Sequence, residues 1–171
     1  MRAHPRSLTV FLWFAGLALV IVWQVFRDTA IDYRLVVAGV LLPDLVDVLF
    51  GGARILHTLV ANVVLLTLVM VATRGRRGLR RRLLALPIGT FLHLVLDGMW
   101  SSTEVFWWPL FGLSFESTEL PSLARPLAVV LVQELVGLGA LGWWWTRFRL
   151  GHADRRRAFV RTGRVGRDLA A

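Results

Sequence analysis

The sequence contains no cysteine and no lysine. Without thiols, disulfides, thiolate metal sites and cysteine nucleophiles are all excluded. Without lysine, every positive side chain is an arginine. Acidic residues are scarce, 11 against 20 basic ones. Charged residues of both signs make up only 18% of the chain, below the quarter usual for a soluble domain. No Gly-x-Ser-x-Gly run is present, which removes the serine-hydrolase elbow. Histidine occurs four times, at positions 4, 57, 93 and 152, so the placing of each is informative.

What is abundant is apolar surface. Hydrophobic residues form 56% of the 171-residue chain, and mean hydropathy is +0.62. Four stretches are long enough to cross a bilayer, which takes about 20 helical residues: Leu8–Phe26, Ile55–Thr73, Leu83–Trp100 and Pro126–Thr146. No small-residue cleavage site follows the first, so it reads as a retained helix rather than a signal peptide. A fifth stretch, Leu35–Phe50, is shorter and carries Pro43-Asp44 inside it. Proline inside a helix removes a hydrogen bond and breaks or kinks it. The segment therefore reads as a re-entrant element, or else as a kinked short span. The fold class expected is all-α: a polytopic membrane helix bundle of four transmembrane helices plus a broken or re-entrant helix, or five spans.

Arginine placement orients this bundle. One block occupies 74–82 and another 147–167, between and after the apolar runs. That pattern fits the positive-inside rule and contact with anionic lipid better than specific nucleic-acid binding, despite a pI near 11.7. Residues 1–150 read as the membrane domain and 151–171 as a basic cytoplasmic tail, partly disordered or lying on headgroups. The loop 101–125, with Glu104, Glu116 and Glu119, reads as extracytoplasmic. The compartment expected is a bacterial cytoplasmic (inner) membrane. The partners expected are membrane lipid and a lipid or small-molecule substrate, with a homo-oligomer left open.

Ionisable residues within apolar spans are costly and mark function. Asp44 and Asp47 stand three apart, His57 opens the next span, and His93 and Asp97 stand four apart on one helical face. All five fall toward the extracytoplasmic ends of their helices. Two imidazoles with carboxylates suit a divalent ion, zinc or manganese foremost, and the ion relieves the repulsion among buried carboxylates. Each pair also has a plainer explanation: His93–Asp97 as a hydrogen-bonded pair, Asp44–Asp47 as a cap beside Arg54, His57 as a headgroup contact. Glu134, inside the last span, reads as a structural partner of Arg54 or Arg125, with support of a metal ligand as the alternative.

The runs Leu42-Pro43-Asp44-Leu45-Val46-Asp47, Arg54-Ile55-Leu56-His57-Thr58, Gly89-Thr90-Phe91-Leu92-His93-Leu94-Val95-Leu96-Asp97 and Trp107-Trp108-Pro109 occur in that order. Over residues 38–112 the chain resembles the membrane-bound, metal-dependent hydrolases related to the LexA-binding inner-membrane protein YdjM. Thr58 stands where that family commonly has serine, and apolar Ile55-Leu56 precedes the histidine. The resemblance implies that Asp44, Asp47, His57, His93 and Asp97 are the polar core of a metal site. A hydrolase reading gives these five the catalytic and ligand roles. Arg54 would grip a phosphate, and Thr58 and Trp108 would contact substrate. A small ion- or proton-coupled transporter and a non-catalytic scaffold, its basic tail recruiting a partner or anionic lipid, are the competing readings.

Overall fold

The computed structural model describes residues 10–49, 55–101, 103–110, 112 and 126–166, with the side chains of 47–49 and 103 outside that description. Among the described residues the regular structure is all helix, without strands. The helices are α1 (Phe11–Phe26), α2 (Tyr33–Leu49), α3 (Leu59–Ala72), α4 (Arg77–Leu83), α5 (Ala85–Asp97), α6 (Thr103–Phe106), α7 (Leu127–Arg147) and α8 (Ala153–Thr162). The all-α expectation therefore stands.

Two tightly packed helix pairs form the centre. In the first, α2 and α5 run parallel and meet through glycine. A Cβ on Gly89 would strike the Val36 carbonyl and lie 2.9 Å from both Gly39 Cα and Val40 N. Backbone thus lies against backbone, the packing small residues allow between apolar helices. In the second, α1 and α7 run parallel, and Gly137 faces the Leu12–Trp13 peptide just as closely. At one end of that pair, the Glu134 carboxylate accepts from Leu12 N at 3.0 Å and Trp13 N at 3.4 Å. Glu134 therefore caps α1, whose own N-cap position, Val10, has no side-chain acceptor. At the other end Trp23 meets Phe148 edge to face at 4.8 Å.

Pro43 does not break α2, which is one helix over Tyr33–Leu49 with the proline inside. The expected interruption assumed an isolated helix. A proline within one costs about 3 kcal/mol; here Gly39, Val40 and Pro43 are buried, and contact with α5 offsets that loss. The helix consequently runs the bundle's length instead of turning back.

All the described arginine-rich segments gather at one end. Arg81 pairs with Asp28 at 2.6 Å, and Arg34 and Arg82 both reach Asp32 at 2.9 Å. Burial pushes the Asp32 carboxyl up, but hydrogen bonds from Arg34 and Arg82 outweigh it and hold the group below the usual carboxylate range. The basic tail is drawn into this network. Tyr33 N donates to the Gly163 carbonyl at 2.8 Å, Arg34 Nη1 donates to the Val160 carbonyl at 2.6 Å, and Val165 is buried. Residues 151–166, expected to be partly disordered or lying on headgroups, are helix and turn held against the start of α2.

Of the described helices, α7 alone is long and apolar enough to cross a membrane by length and composition; α1 and α3 are apolar but shorter. At 1.5 Å per residue, α7 reaches about 32 Å. Much of its apolar surface faces outward: Leu131, Val132, Leu135 and Leu138 are exposed, as are Val63, Leu66, Leu68 and Val71 of α3.

Candidate metal centre

At the end of the bundle opposite the arginines, three chain segments deliver polar side chains to one point. The approach of α3 is set by Thr58, its N-cap. The Thr58 hydroxyl donates to the Ile55 carbonyl at 2.8 Å and accepts from Ala61 N at 3.0 Å. This locks the short turn Ile55–His57 and leaves His57 fully buried at its end. From α5, His93 lies under α2 with its ring stacked on Phe14, centroids 4.4 Å apart. The Nδ1 of His93 is 2.7 Å from the Val40 carbonyl. A carbonyl oxygen only accepts, so Nδ1 carries the proton and Nε2 presents a lone pair. Asp44 stands one turn beyond Val40 on the same face of α2.

The three ligand atoms converge. His57 Nε2 and His93 Nε2 are 3.1 Å apart, and Asp44 Oδ1 is 3.5 Å from each. Both histidines are buried, and the Asp44 side chain is only 11% exposed. An ion bonding nitrogen and oxygen at about 2.0–2.2 Å in a tetrahedral shell keeps its ligands about 3.3–3.5 Å apart. Two edges of the triangle, at 3.5 Å, match that spacing, and the third, at 3.1 Å, is slightly shorter. Buried Asp44, His57 and His93 could therefore hold a metal ion. The donor chemistry, two imidazoles and one carboxylate, is the set used by catalytic zinc and by non-haem iron, and manganese accepts it too. The Val40 carbonyl accepts the outer hydrogen bond that would fix His93 as a ligand.

The other expected site residues are placed differently. Asp97 is buried at the last turn of α5, but is not one of the three residues whose ligand atoms meet. Four residues advance a helix by about 6 Å, which carries it past the level of His93. The side chain of Asp47 and all of Arg54 lie outside the described residues. Thr58 is engaged as the cap described above. With Trp108, Ile55, Leu56 and Val60 it also borders an apolar groove of ≈ 360 Å³ along α3. Two contributors had no signal in the sequence: the Val40 carbonyl, which is main chain, and Phe14, which is one of many apolar residues in its run. Glu134 was expected beside an arginine; it binds the amides of α1.

Compared with known proteins, the chain matches no family model, no curated protein and no solved structure.

Proposed function

We propose that the chain is an integral-membrane, metal-dependent hydrolase of the YdjM-related kind, acting on a lipid-linked or membrane-proximal phosphoester. The observation that carries this reading is the buried convergence of His57 Nε2, His93 Nε2 and Asp44 Oδ1. A divalent ion held there, zinc or manganese, supplies Lewis acidity toward an ester oxygen and a nucleophile at neutral pH. Asp44, His57 and His93 hold it, with His93 oriented by Val40. Asp97 and Asp47, each one turn further along its helix, are the carboxylates for taking the proton from water or for completing the ligand set. Arg54 grips the phosphate, and the groove beside Thr58 and Trp108 takes the hydrocarbon part of the substrate. Release of phosphate or headgroup from a panel of lipid phosphates in mixed micelles tests this. The expected result is turnover that EDTA abolishes and added divalent ion restores. No turnover on the panel with the metal centre occupied would refute the hydrolase reading.

The exposed apolar faces of α3 and α7 support a bilayer as their surroundings, since water-facing patches of that kind are rare in monomers. Five helices then cross in alternation, with the arginine end cytoplasmic and the metal centre extracytoplasmic. With α2 continuous and residues 28–33 at the arginine end, this reading puts the start of α1 outside, where a re-entrant α2 would have put it inside. The chain lacks cysteine, so Gly78→Cys and Ser101→Cys report cleanly. An impermeant maleimide on intact cells should label position 101 and spare position 78; the reverse pattern contradicts the orientation.

A further inference from the structure

At the arginine end, far from the metal centre, the helices leave a second site between them. A slot of ≈ 500 Å³ opens among α2, α7 and α8, walled by Val37, Leu141, Trp144 and Trp145. Leu141 lies six residues before Arg147, so the apolar wall extends about 9 Å inward from the end of α7. Two charged side chains line it, Arg34 and Arg156. Their charge is not fully answered by the protein. Among the described residues, Asp32 is the one carboxylate paired with both Arg34 and Arg82, which leaves that cluster one positive charge in excess. Among the described residues, Arg156 bonds main-chain carbonyls, those of Leu150 and Gly151, each at 3.4 Å. No carboxylate among the described residues pairs with it. Arg157, its neighbour, is instead paired with Asp154 at 2.7 Å. The α8 wall, formed by Phe159 and Val160, is tied down by the Arg34 bond to the Val160 carbonyl.

An apolar slot about two turns deep with excess guanidinium charge at its mouth has the polarity of one ligand class. We propose that it holds a single anionic phospholipid, with the phosphate at Arg156 and Arg34 and an acyl chain between α2 and α7. Free phosphate would use the arginines but none of the apolar wall; a zwitterionic lipid would use the wall but bring no net negative charge to the mouth. The proposal rests on the chain being membrane-embedded, but not on the metal centre or on catalysis.

Native mass spectrometry of the detergent-purified full chain tests it, with phosphatidylglycerol and phosphatidylcholine of identical acyl chains as probes. The wild type should retain one phosphatidylglycerol in preference to phosphatidylcholine. Arg156→Gln should reduce that preference by about fivefold, the worth of one arginine at an anionic surface. Leu141→Trp, which fills the slot, should reduce retention of both lipids, and Arg157→Gln should behave as wild type. Equal retention of the two lipids by the wild type, equal losses in Arg156→Gln and Arg157→Gln, or displacement of the lipid by millimolar inorganic phosphate overturns the proposal. A carbonate wash separates this from failure of the premise. Recovery of the chain in the soluble fraction would remove the membrane reading and the lipid site together, whereas a lipid result of the kinds above removes the lipid site alone.

Discussion

Asp44→Asn should lose more than about 100-fold of the chelator-sensitive turnover while remaining folded. Changing an outer partner of a metal ligand typically costs 10–100-fold, and Asp44 is itself a ligand in this account. Asparagine keeps the shape and an acceptor oxygen but removes the only negative charge among the three converging side chains. Asp44 is nearly buried, so its neutral replacement introduces no charge that must be desolvated, and melting in detergent should change little. The same assay, run beside a thermal melt, separates the two effects. Wild-type turnover in Asp44→Asn would take Asp44 out of the mechanism.

A second large effect is expected far from any polar group. Gly89→Leu places a side chain where the Val36 carbonyl and the backbone of Gly39 and Val40 already lie. Backbone cannot rotate aside as a flexible side chain can, so α5 must part from α2. Overpacking by single methylenes already costs about 1–3 kcal/mol, and a whole isobutyl group against main chain exceeds that. His93 is one turn beyond Gly89, so the same displacement pulls its ring from the Val40 carbonyl and from Asp44. The variant should aggregate, or elute as a monodisperse but metal-free protein. Gly78→Leu is the control, since a Cβ there meets nothing within 4 Å. Equal melting temperature and metal content in the two variants would contradict the packing described.

The existence of most long helices was legible because apolar runs of 18–21 residues have few alternatives; α1, α3 and α5 fall inside the expected stretches, and α7 overruns its own by one residue. Their ends were not, because caps set them: Thr58 starts α3 three residues into its run, and Arg27, left-handed at φ 48°, stops α1. Pro43 misled for a related reason. Local propensity argues for a break, and only the contact with α5, a residue 50 positions away, decides otherwise. At the metal centre, Asp44, His57 and His93 stood out as ionisable groups in apolar surroundings. Helical spacing placed Asp97 on the face of His93, and it is buried there at the last turn of α5, outside the group of three converging ligand atoms. The charge run after 151 read as a tail partly disordered or lying on headgroups because its arginines dominate. The contacts that hold it down are a glycine carbonyl, a valine carbonyl and Val165, none of which a charge pattern reveals.

The central claim, that Asp44, His57 and His93 bind a divalent ion, is tested most directly by elemental analysis of the purified chain. The wild type is measured beside His57→Ala and His93→Ala after growth with zinc and manganese supplied. The account predicts at least one divalent ion per wild-type chain and its loss in both variants, each of which still elutes as a folded species. A wild type free of metal, or variants that carry as much as the wild type, would contradict it.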